Sequence, residues 1–470
     1  MTKRILLVHG RGGPPIDFVL PRLAARAEVH VLALRPLPAE AEALCASVHP
    51  AHEQRPKGDE LVDAIVAAAE RVGAHALFGP SEYTVVPVAR AADRLGLPGP
   101  GAGAAASRDK RLMRAAWEKA AVPQPAYRTV ASAADLRRAF GELQPPLLLK
   151  SAWGAGSTAQ LVISCQEQIA AAWQEATAVM RAADAANILM LEVPGAENDF
   201  LVEEIIPGTT QSWWEDESGY GDYLSVEGMV IEGVYHPICI TSRLPTIPPF
   251  MELCNIAPCE LPVPLQRAIE SVARASVDAL GLRTCGTHTE VKLMADGGLA
   301  LIESAGRFGG AMILAQLEHV YGLDLVGMLA DALLGLPVEA PSSLLTPQDA
   351  KGAACTLSLL ATNAVGEPWS KDLVWDSRVV DWPSLVSPGT SIETAPGLTI
   401  PDGTPMPKYR QSGGKLGLGG VLYLTSADPA TLVHDAYAVL NGLEDALARG
   451  WDEQARGGPE STKKTKGVSG

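Results

Sequence analysis

Two glutamates on one short segment could hold a metal ion. Residues 288–310 read HTEVKLMADGGLALIESAGRFGG, in which two runs of alternating apolar residues flank Asp296-Gly297. Asp-Gly favours a two-residue type I′ turn, so the segment predicts a β-hairpin. With these two residues as the whole loop, Glu290 lies directly opposite Glu303, with Cβ atoms about 4.5 to 5.5 Å apart. Such like charges repel unless a cation lies between them, and carboxylate oxygens are ligands that Mg²⁺ prefers.

The residues around this pair allow more than one interpretation. Both glutamates could face water on an exposed edge, or a longer loop could change the register. Arg307 favours a functional site, because a guanidinium four residues after a metal-binding carboxylate can stabilise a phosphoryl group or an oxyanion. The alternative is a surface arginine. His288 falls on the same predicted face as Glu290, where it lines a substrate pocket or is a hydrogen-bonded structural histidine.

A phosphate-binding loop is indicated after a short apolar strand. Residues 147–150 predict this strand, which ends at Lys150 and is followed by the loop SAWGAGST, residues 151–158. Small residues leave backbone N–H groups free to approach phosphates. The order of residues is not that of a Walker loop, so an ordinary flexible turn is the alternative interpretation. Further along, FLVEEIIPG, residues 200–208, predicts a strand whose backbone groups could meet an adenine edge.

The elements that position these residues change along the chain. Short β-like runs alternate with helical patterns up to about residue 95, which predicts a parallel α/β sheet. Turn-separated strands predominate from residue 200 to about 312, whereas few strand signals follow Pro341. We predict an N-terminal domain at 1–106, a core at 107–345 with a lid at about 125–207, a C-terminal domain at 346–454 and a flexible tail at 455–470.

A glycine-rich loop follows the first predicted strand. It reads Gly10-Arg11-Gly12-Gly13-Pro14-Pro15, residues 10–15. A dinucleotide fingerprint requires glycine where Pro15 stands, so the fingerprint fails. A tight turn from strand to loop is the simpler interpretation, and a dinucleotide oxidoreductase is disfavoured.

The composition limits the partners and the compartment. Thirty-eight Lys and Arg face 54 Asp and Glu, and the net charge of −16 disfavours nucleic acid and anionic membranes as partners. The seven cysteines contain no CxxC pair, which is typical of reduced cytosolic thiols. No apolar run reaches the length of a membrane span, and the N-terminal run is too short for a signal peptide. We therefore expect a soluble, cytoplasmic protein.

The order of these segments resembles the ATP-grasp superfamily of carboxylate–amine ligases. The matching segments are SRDKRLMRAAWEKAAVPQP, LLLKSAWGAGST, FLVEEIIPG and the two strands of the hairpin, which together span about 200 residues. The segment YGDYLSVEGMVIEGVYHPICITSRLP, and ESAGR in place of the commoner EINPR, are similar to the L-amino acid ligase branch. The four segments in this order are far more specific than any one of them.

The resemblance implies a mixed α/β and α+β fold. An N-terminal Rossmann-like domain would precede the ATP-grasp core, and a C-terminal α+β lobe would follow. The implied reaction uses ATP and Mg²⁺, forms ADP, activates an amino-acid carboxylate as an acyl phosphate and joins it to the amine of a second amino acid. The partners would be small amino-acid substrates, and a homodimer is the assembly we consider.

The resemblance also implies the residues that bind the nucleotide. Two lysines would bind its phosphates, Lys110 and Lys150. A mobile phosphate lid would be formed by Gly154, Gly156 and Ser157. The adenine pocket would be lined by Glu203, Glu204 and Ile206. Arg243 would clamp the triphosphate.

The remaining implied residues surround the reacting centre. Glu290 and Glu303 would hold Mg²⁺, and Arg307 would stabilise the acyl phosphate and the tetrahedral adduct. Many members carry a metal-binding asparagine where this chain has Ala305, so the resemblance does not decide whether one or two Mg²⁺ ions bind. The substrate pocket would be lined by His288, Arg307, Gly310 and Ala311. Because Gly310 and Ala311 are small, we expect room there for a medium or large side chain.

Four other functions share parts of this pattern. γ-Glutamyl ligases and ligases that load a carrier protein use the same acyl-phosphate chemistry. A biotin-dependent carboxylase has the same architecture, but the chain lacks a biotinyl-lysine MKM motif. A nucleotide-binding scaffold would have no need of a paired-glutamate metal site.

Overall fold

The computed structural model describes residues 2–185, 196–215 and 218–457. Over these ranges the chain forms three sheets of four or more strands and one two-stranded ribbon. Two predicted segments are described only in part. Residues 186–195 of the lid and residues 458–470 of the tail lie outside the described residues.

The N-terminal sheet is parallel and has helices against it, as the alternating pattern predicts. Its strand order is β3-β2-β1-β4. Its strands are β1 (Arg4–His9), β2 (Glu28–Ala33), β3 (Ser47–Pro50) and β4 (Ala76–Phe78). Its helices are α1 (Ile16–Ala24), α2 (Ala39–Glu42), α3 (Gly58–Val72) and α4 (Val85–Leu95).

A second, antiparallel sheet carries the predicted phosphate loop. Helix α5 (Lys110–Lys119) precedes it, and Asp109 caps this helix by accepting from the Arg111 N–H at 2.9 Å. The strand order is β5-β8-β6-β7. The elements are β5 (Tyr127–Val130), α6 (Ala133–Glu142), β6 (Leu147–Ser151), β7 (Leu161–Ile163), α7 (Ile169–Ala185) and β8 (Phe200–Glu204).

The largest sheet has eight antiparallel strands in the order β13-β12-β9-β10-β11-β14-β18-β16. Its strands are β9 (Tyr223–Ile231), β10 (Val234–Arg243), β11 (Cys254–Ala257), β12 (Cys285–Leu293), β13 (Leu299–Ala305), β14 (Ala353–Leu360), β16 (Ser391–Thr394) and β18 (Leu418–Ser426). The ribbon pairs β15 (Val374–Trp375) with β17 (Thr404–Pro405). The helices are α8 (Val263–Leu280), α9 (Ile313–Tyr321), α10 (Leu325–Leu333) and α11 (Pro429–Gly457).

This sheet has one apolar face and one polar face. Leu224, Val226 and Val291 point to one side and pack with Ile269 and Ala273 of α8. Since side chains alternate along a strand, their neighbours Ser225, Glu227 and Glu290 point to the opposite side. A polar face is thereby created across β12, β9 and β10.

The segment after Pro341 is richer in strands than the sequence indicates. Strands β14 and β18 lie inside the eight-stranded sheet, so the boundary that we propose at 345 separates strands of one sheet. Helix α11 covers them with its apolar side. The weak signal is explained by burial on both faces, which removes the alternation of polar and apolar residues.

In the described ranges, no single helix is long and apolar enough to cross a bilayer. Helices α9 and α10 reach the length and hydrophobicity of a membrane span only when they are taken together, and they are bent by 104° relative to each other.

Candidate active site

The predicted pair of glutamates is present at the edge of the large sheet. Strands β12 and β13 are antiparallel, and Glu290 lies directly opposite Glu303. The next pair is Val291 with Leu301, so Ile302 is an extra residue that forms a β-bulge. The two carboxylates therefore point to the polar face, as predicted.

The loop of this hairpin differs from the predicted two-residue turn. Asp296 and Gly297 have φ of 57° and 73°, the positive values that a type I′ turn requires. However, the Met294 N–H donates to the Gly298 carbonyl oxygen at 2.9 Å, which shifts the pairing next to the turn by one residue. The bulge at Ile302 reverses this shift. The loop prediction is wrong, and the glutamates still face each other because two irregularities cancel.

Each glutamate has a cationic neighbour. Glu290 Oε1 lies 3.3 Å from His288 Nε2, and Glu303 Oε1 lies 3.2 Å from Lys110 Nζ. Their side chains are 20% and 25% exposed, so the pair does not lie on a freely exposed edge. In the described ranges, no group of three or more His, Cys, Asp or Glu side chains forms a ready metal cage. Two carboxylates fit Mg²⁺, which usually takes its remaining ligands from water and phosphate oxygens.

Lys150 is held by a buried ion-pair triad. Its Nζ lies 2.8 Å from Glu203 Oε2, and Arg114 Nε donates to Glu203 Oε1 at 2.6 Å. Arg114 also donates to the carbonyl oxygen of Ile302 at 2.8 Å, which joins the triad to the bulge beside Glu303. The Glu203 carboxylate is therefore occupied, and only its backbone is left for an adenine edge.

The triad makes a testable contribution to stability. Burial opposes ionisation of Glu203, but Arg114 and Lys150 lower its pKa from 4.5 to about 2. We expect Glu203→Gln to lower the free energy of unfolding by about 3 kcal/mol at pH 7. Because the folded pKa is depressed, the difference from wild type should persist above about pH 5 and shrink as the pH falls toward 2. Urea denaturation between pH 7.5 and 3 measures it.

The neighbouring strand position supplies a control for this experiment. Glu204 accepts a single hydrogen bond, from the Gln144 N–H at 2.9 Å, and is half-buried. Glu204→Gln should change stability by less than about 1 kcal/mol. Equal losses in Glu203→Gln and Glu204→Gln would contradict a stabilising triad.

Lys110 connects the glutamate pair to the predicted phosphate loop. Its Nζ donates to the Gly154 carbonyl oxygen at 2.8 Å as well as contacting Glu303. Gly156 and Ser157 both have positive φ, which makes a tight turn. Ser157 Oγ donates to the Phe250 carbonyl oxygen at 2.9 Å. The loop thus contacts the segment between β10 and β11.

A buried polar network crosses the centre of the large sheet. His288 Nδ1 lies 2.6 Å from Glu227 Oε1, and Ser225 Oγ donates to the same oxygen at 3.0 Å. Arg243, 2% exposed, donates to Ser225 Oγ at 2.8 Å. Burial alone would lower the pKa of His288, but Glu227 and Glu290 raise it to about 9. The predicted residues Arg243, His288 and Glu290 therefore belong to one network.

Arg307 is oriented by a residue of the N-terminal domain. Its Nε donates to Glu82 Oε2 at 2.5 Å, and Arg108 Nε lies 3.5 Å from Glu82 Oε1. Burial opposes ionisation of Glu82, but Arg307 and Arg108 lower its pKa to about 2. Arg307 is therefore not a surface arginine. Gly310 and Ala311 follow it on the way to α9, and both are half-buried.

Two predicted residues lie apart from these networks. Glu204 contacts the backbone of Gln144, and Ile206 is half-buried beyond the end of β8.

The sequence analysis missed Glu82, Arg114 and Glu227. Glu227 carries a local signal, because Ser225 and Glu227 share one face of the apolar run YLSVEGMVI. Glu82 follows β4, and the carboxyl edge of a parallel sheet is where functional residues are expected. Arg114 lies in a helix with five charged residues, where nothing local separates it from a solvated side chain.

Comparisons with known proteins identify relatives and structural neighbours of this chain. No protein-family model matches the chain. It is 33% identical over 364 residues to the alanine–anticapsin ligase of Bacillus subtilis strain 168, an alignment that covers 74% of this chain and 75% of the relative. The crystal structure of the L-amino acid ligase from Bacillus licheniformis is similar, with a TM-score of 0.70, 17% identity, and coverage of 94% and 97% of the two chains.

A further structural neighbour is the biotin carboxylase domain of the Hydrogenobacter thermophilus 2-oxoglutarate carboxylase, solved with MgADP. Its TM-score is 0.61 at 15% identity, with coverage of 97% and 98%. At such identity the likeness concerns the fold alone, and that fold is the ATP-grasp fold predicted above. Through its 33% identity to a relative aligned over three quarters of each chain, this protein belongs to the alanine–anticapsin ligase family of ATP-grasp ligases.

Proposed function

We propose that this chain is an ADP-forming ligase that joins the carboxylate of one amino acid to the amine of another. The family relationship supports amide formation, since the relative is named for the ligation of alanine to anticapsin. The observation that carries the proposal is the Glu290–Glu303 pair, which lies beside Lys110 on the face that also carries His288. A binding module without catalysis has no need of this pair.

The chemistry requires activation before amide formation. A carboxylate is a poor electrophile at neutral pH, so phosphoryl transfer from ATP must first convert it into an acyl phosphate. Such transfer is catalysed mainly by positioning and by charge stabilisation. Glu290 and Glu303 would hold Mg²⁺, which would neutralise phosphate charge when bound.

The chain's own cations would orient the triphosphate. Lys150 is fixed by Glu203, Lys110 by Glu303 and the Gly154 carbonyl, and Arg243 by Ser225. Loop residues Gly154, Gly156 and Ser157 would cover the phosphates and exclude water, which would otherwise hydrolyse the acyl phosphate. In our proposal the adenine ring is lined by the backbone at Glu203, together with Glu204 and Ile206.

Arg307 would act in the second step. When the amine attacks the acyl phosphate, negative charge develops on the carbonyl oxygen, and a fixed guanidinium stabilises it. Glu82 fixes Arg307 from the opposite domain. His288, Gly310 and Ala311 would line the substrate pocket, where the small residues leave space for a medium or large side chain.

Product analysis tests this function. The purified chain should release phosphate from ATP only with particular pairs of amino acids, and mass spectrometry should find one dipeptide for each active pair. Pairs with a bulky member should be among them. Phosphate release that depends only on glutamate with a non-amino-acid amine, or on a carrier protein, would contradict dipeptide ligation and indicate the related acyl ligases.

A further inference from the structure

The glycine-rich loop at residues 10–15 lies at the same sheet edge as Glu82. Strands β1, β2 and β4 are parallel neighbours, so the segments after them leave the sheet at its carboxyl edge. Arg11 follows β1, Arg35 follows β2, and Glu82 follows β4. In parallel sheets, ligands bind at this edge.

The loop also borders the proposed reacting centre. Gly13 has φ of 79°, and a Cβ atom there would lie 2.4 Å from the Pro80 carbonyl oxygen, so only glycine fits. A Cβ atom on Gly310 would lie 4.0 Å from the backbone nitrogen of Gly13. The loop is therefore next to Gly310, which lies three residues after Arg307 in the chain.

Arg11 and Arg35 bring two positive charges to this place. Within the described residues, neither guanidinium has a hydrogen-bond or ion-pair partner. Arg11 is exposed, and Arg35 is half-buried. Burial and the charge of Arg11 lower the pKa of Arg35, and burial and the charge of Arg35 lower the pKa of His9 to about 4. Positive charges at the same sheet edge repel each other, and a bound anion would relieve that repulsion.

The other two arginines at this edge already contact a carboxylate. Arg307 and Arg108 share the carboxylate of Glu82. Within the described residues, Arg11 and Arg35 therefore carry positive charge that no carboxylate contacts, although the chain as a whole has a net charge of −16. Local positive charge in an acidic protein is consistent with a bound anion.

We propose that Arg11 and Arg35 bind the free α-carboxylate of the amine substrate, and hence that of the dipeptide product. The inference rests on the proposed function, in which the amine substrate keeps its own carboxylate throughout the reaction. The polar face that this group approaches carries the partly exposed carboxylates of Glu290 and Glu303, so a cationic subsite would hold it away from them. Guanidinium groups match the planar carboxylate with paired hydrogen bonds.

A phosphate group is the other anion that two arginines could bind. The predicted phosphate-binding lysines lie elsewhere, since Lys110 contacts Gly154 and Lys150 contacts Glu203. The amine substrate is therefore the source to which we commit, and the experiment separates it from the nucleotide.

The kinetic test compares an acceptor amino acid with its carboxamide. In Arg11→Ala and Arg35→Ala, kcat/KM for the free acid should fall about tenfold to a hundredfold, as expected for a lost charge-assisted hydrogen bond. The value for the carboxamide should stay within about twofold. Because each acceptor is compared with itself, the different amine pKa values of acid and amide cancel. The KM for ATP should not change.

A binding measurement makes the test independent of turnover. By calorimetry with ADP and Mg²⁺, the wild type should bind L-alanyl-L-alanine more tightly than its C-terminal carboxamide, and both variants should bind the two alike. Arg90→Ala is the matched control, because Arg90 is an exposed arginine of the same domain that pairs with Asp59.

Three results would overturn the proposal. They are equal losses for acid and carboxamide, a raised KM for ATP with the acceptor preference intact, and a wild type that does not distinguish the two dipeptides. A chain that forms no amide but still binds the free dipeptide through these arginines would contradict the proposed function alone.

Discussion

Replacing either glutamate of the hairpin by glutamine should lower kcat by about a thousandfold or more. Glu290→Gln and Glu303→Gln each remove one of two charged oxygen donors, and metal-bound charge stabilisation amounts to several kcal/mol of the barrier. The requirement for Mg²⁺ should rise in parallel. ADP release at increasing Mg²⁺ concentration measures both effects.

The large sheet offers a control for the glutamate variants. Glu393 on the edge strand β16 is exposed, and Glu393→Gln removes the same charge far from the pair. It should keep wild-type kcat. Thermal unfolding must show that the Glu290 and Glu303 variants are folded. Folded variants with nearly full activity and an unchanged Mg²⁺ requirement would refute a metal role for the pair.

The second large effect concerns Arg307. Arg307→Lys keeps the positive charge beside Glu82 but removes the planar fork, and we expect kcat to fall about a hundredfold to a thousandfold. The KM for ATP should change little, because phosphate binding is assigned to Lys110 and Lys150. Steady-state kinetics with saturating amino acids separates the two parameters.

Glu82→Gln tests how Arg307 is held. The variant leaves Arg307 in place but weakens its orientation, so kcat should fall less than in Arg307→Lys, by about tenfold to a hundredfold. Arg90→Lys, at an exposed position of the same domain, should have no effect. A Glu82→Gln enzyme with wild-type kcat would show that Arg307 needs no support from the N-terminal domain.

Local sequence was sufficient for much of the candidate site. Hydrophobic alternation and Asp296-Gly297 predict the hairpin, and Glu290 does face Glu303. The predicted two-residue loop was wrong, because the turn sequence does not determine which backbone groups next to it form hydrogen bonds. Two one-residue shifts, one next to the turn and one at Ile302, leave the alternation of faces at the glutamates intact.

The sequence by itself determined the features that depend on neighbours in the chain. These are the parallel N-terminal sheet, the strand that carries Lys150, and the pairing of the two glutamates. Each follows from periodicity or turn chemistry, which act over a few residues. Pattern reasoning therefore succeeded there.

Only the tertiary structure decided which charges neutralise each other. Glu82 and Arg307 are 225 positions apart in the chain, and Glu227 and His288 are 61 apart, yet each pair is in direct contact. Burial makes such pairing necessary, because an unpaired charge away from water is costly, but the sequence does not say which partner meets which. Packing of the N-terminal sheet against α9 and α10 brings Glu82 to Arg307, and the pairing of β9 with β12 places Glu227 opposite His288.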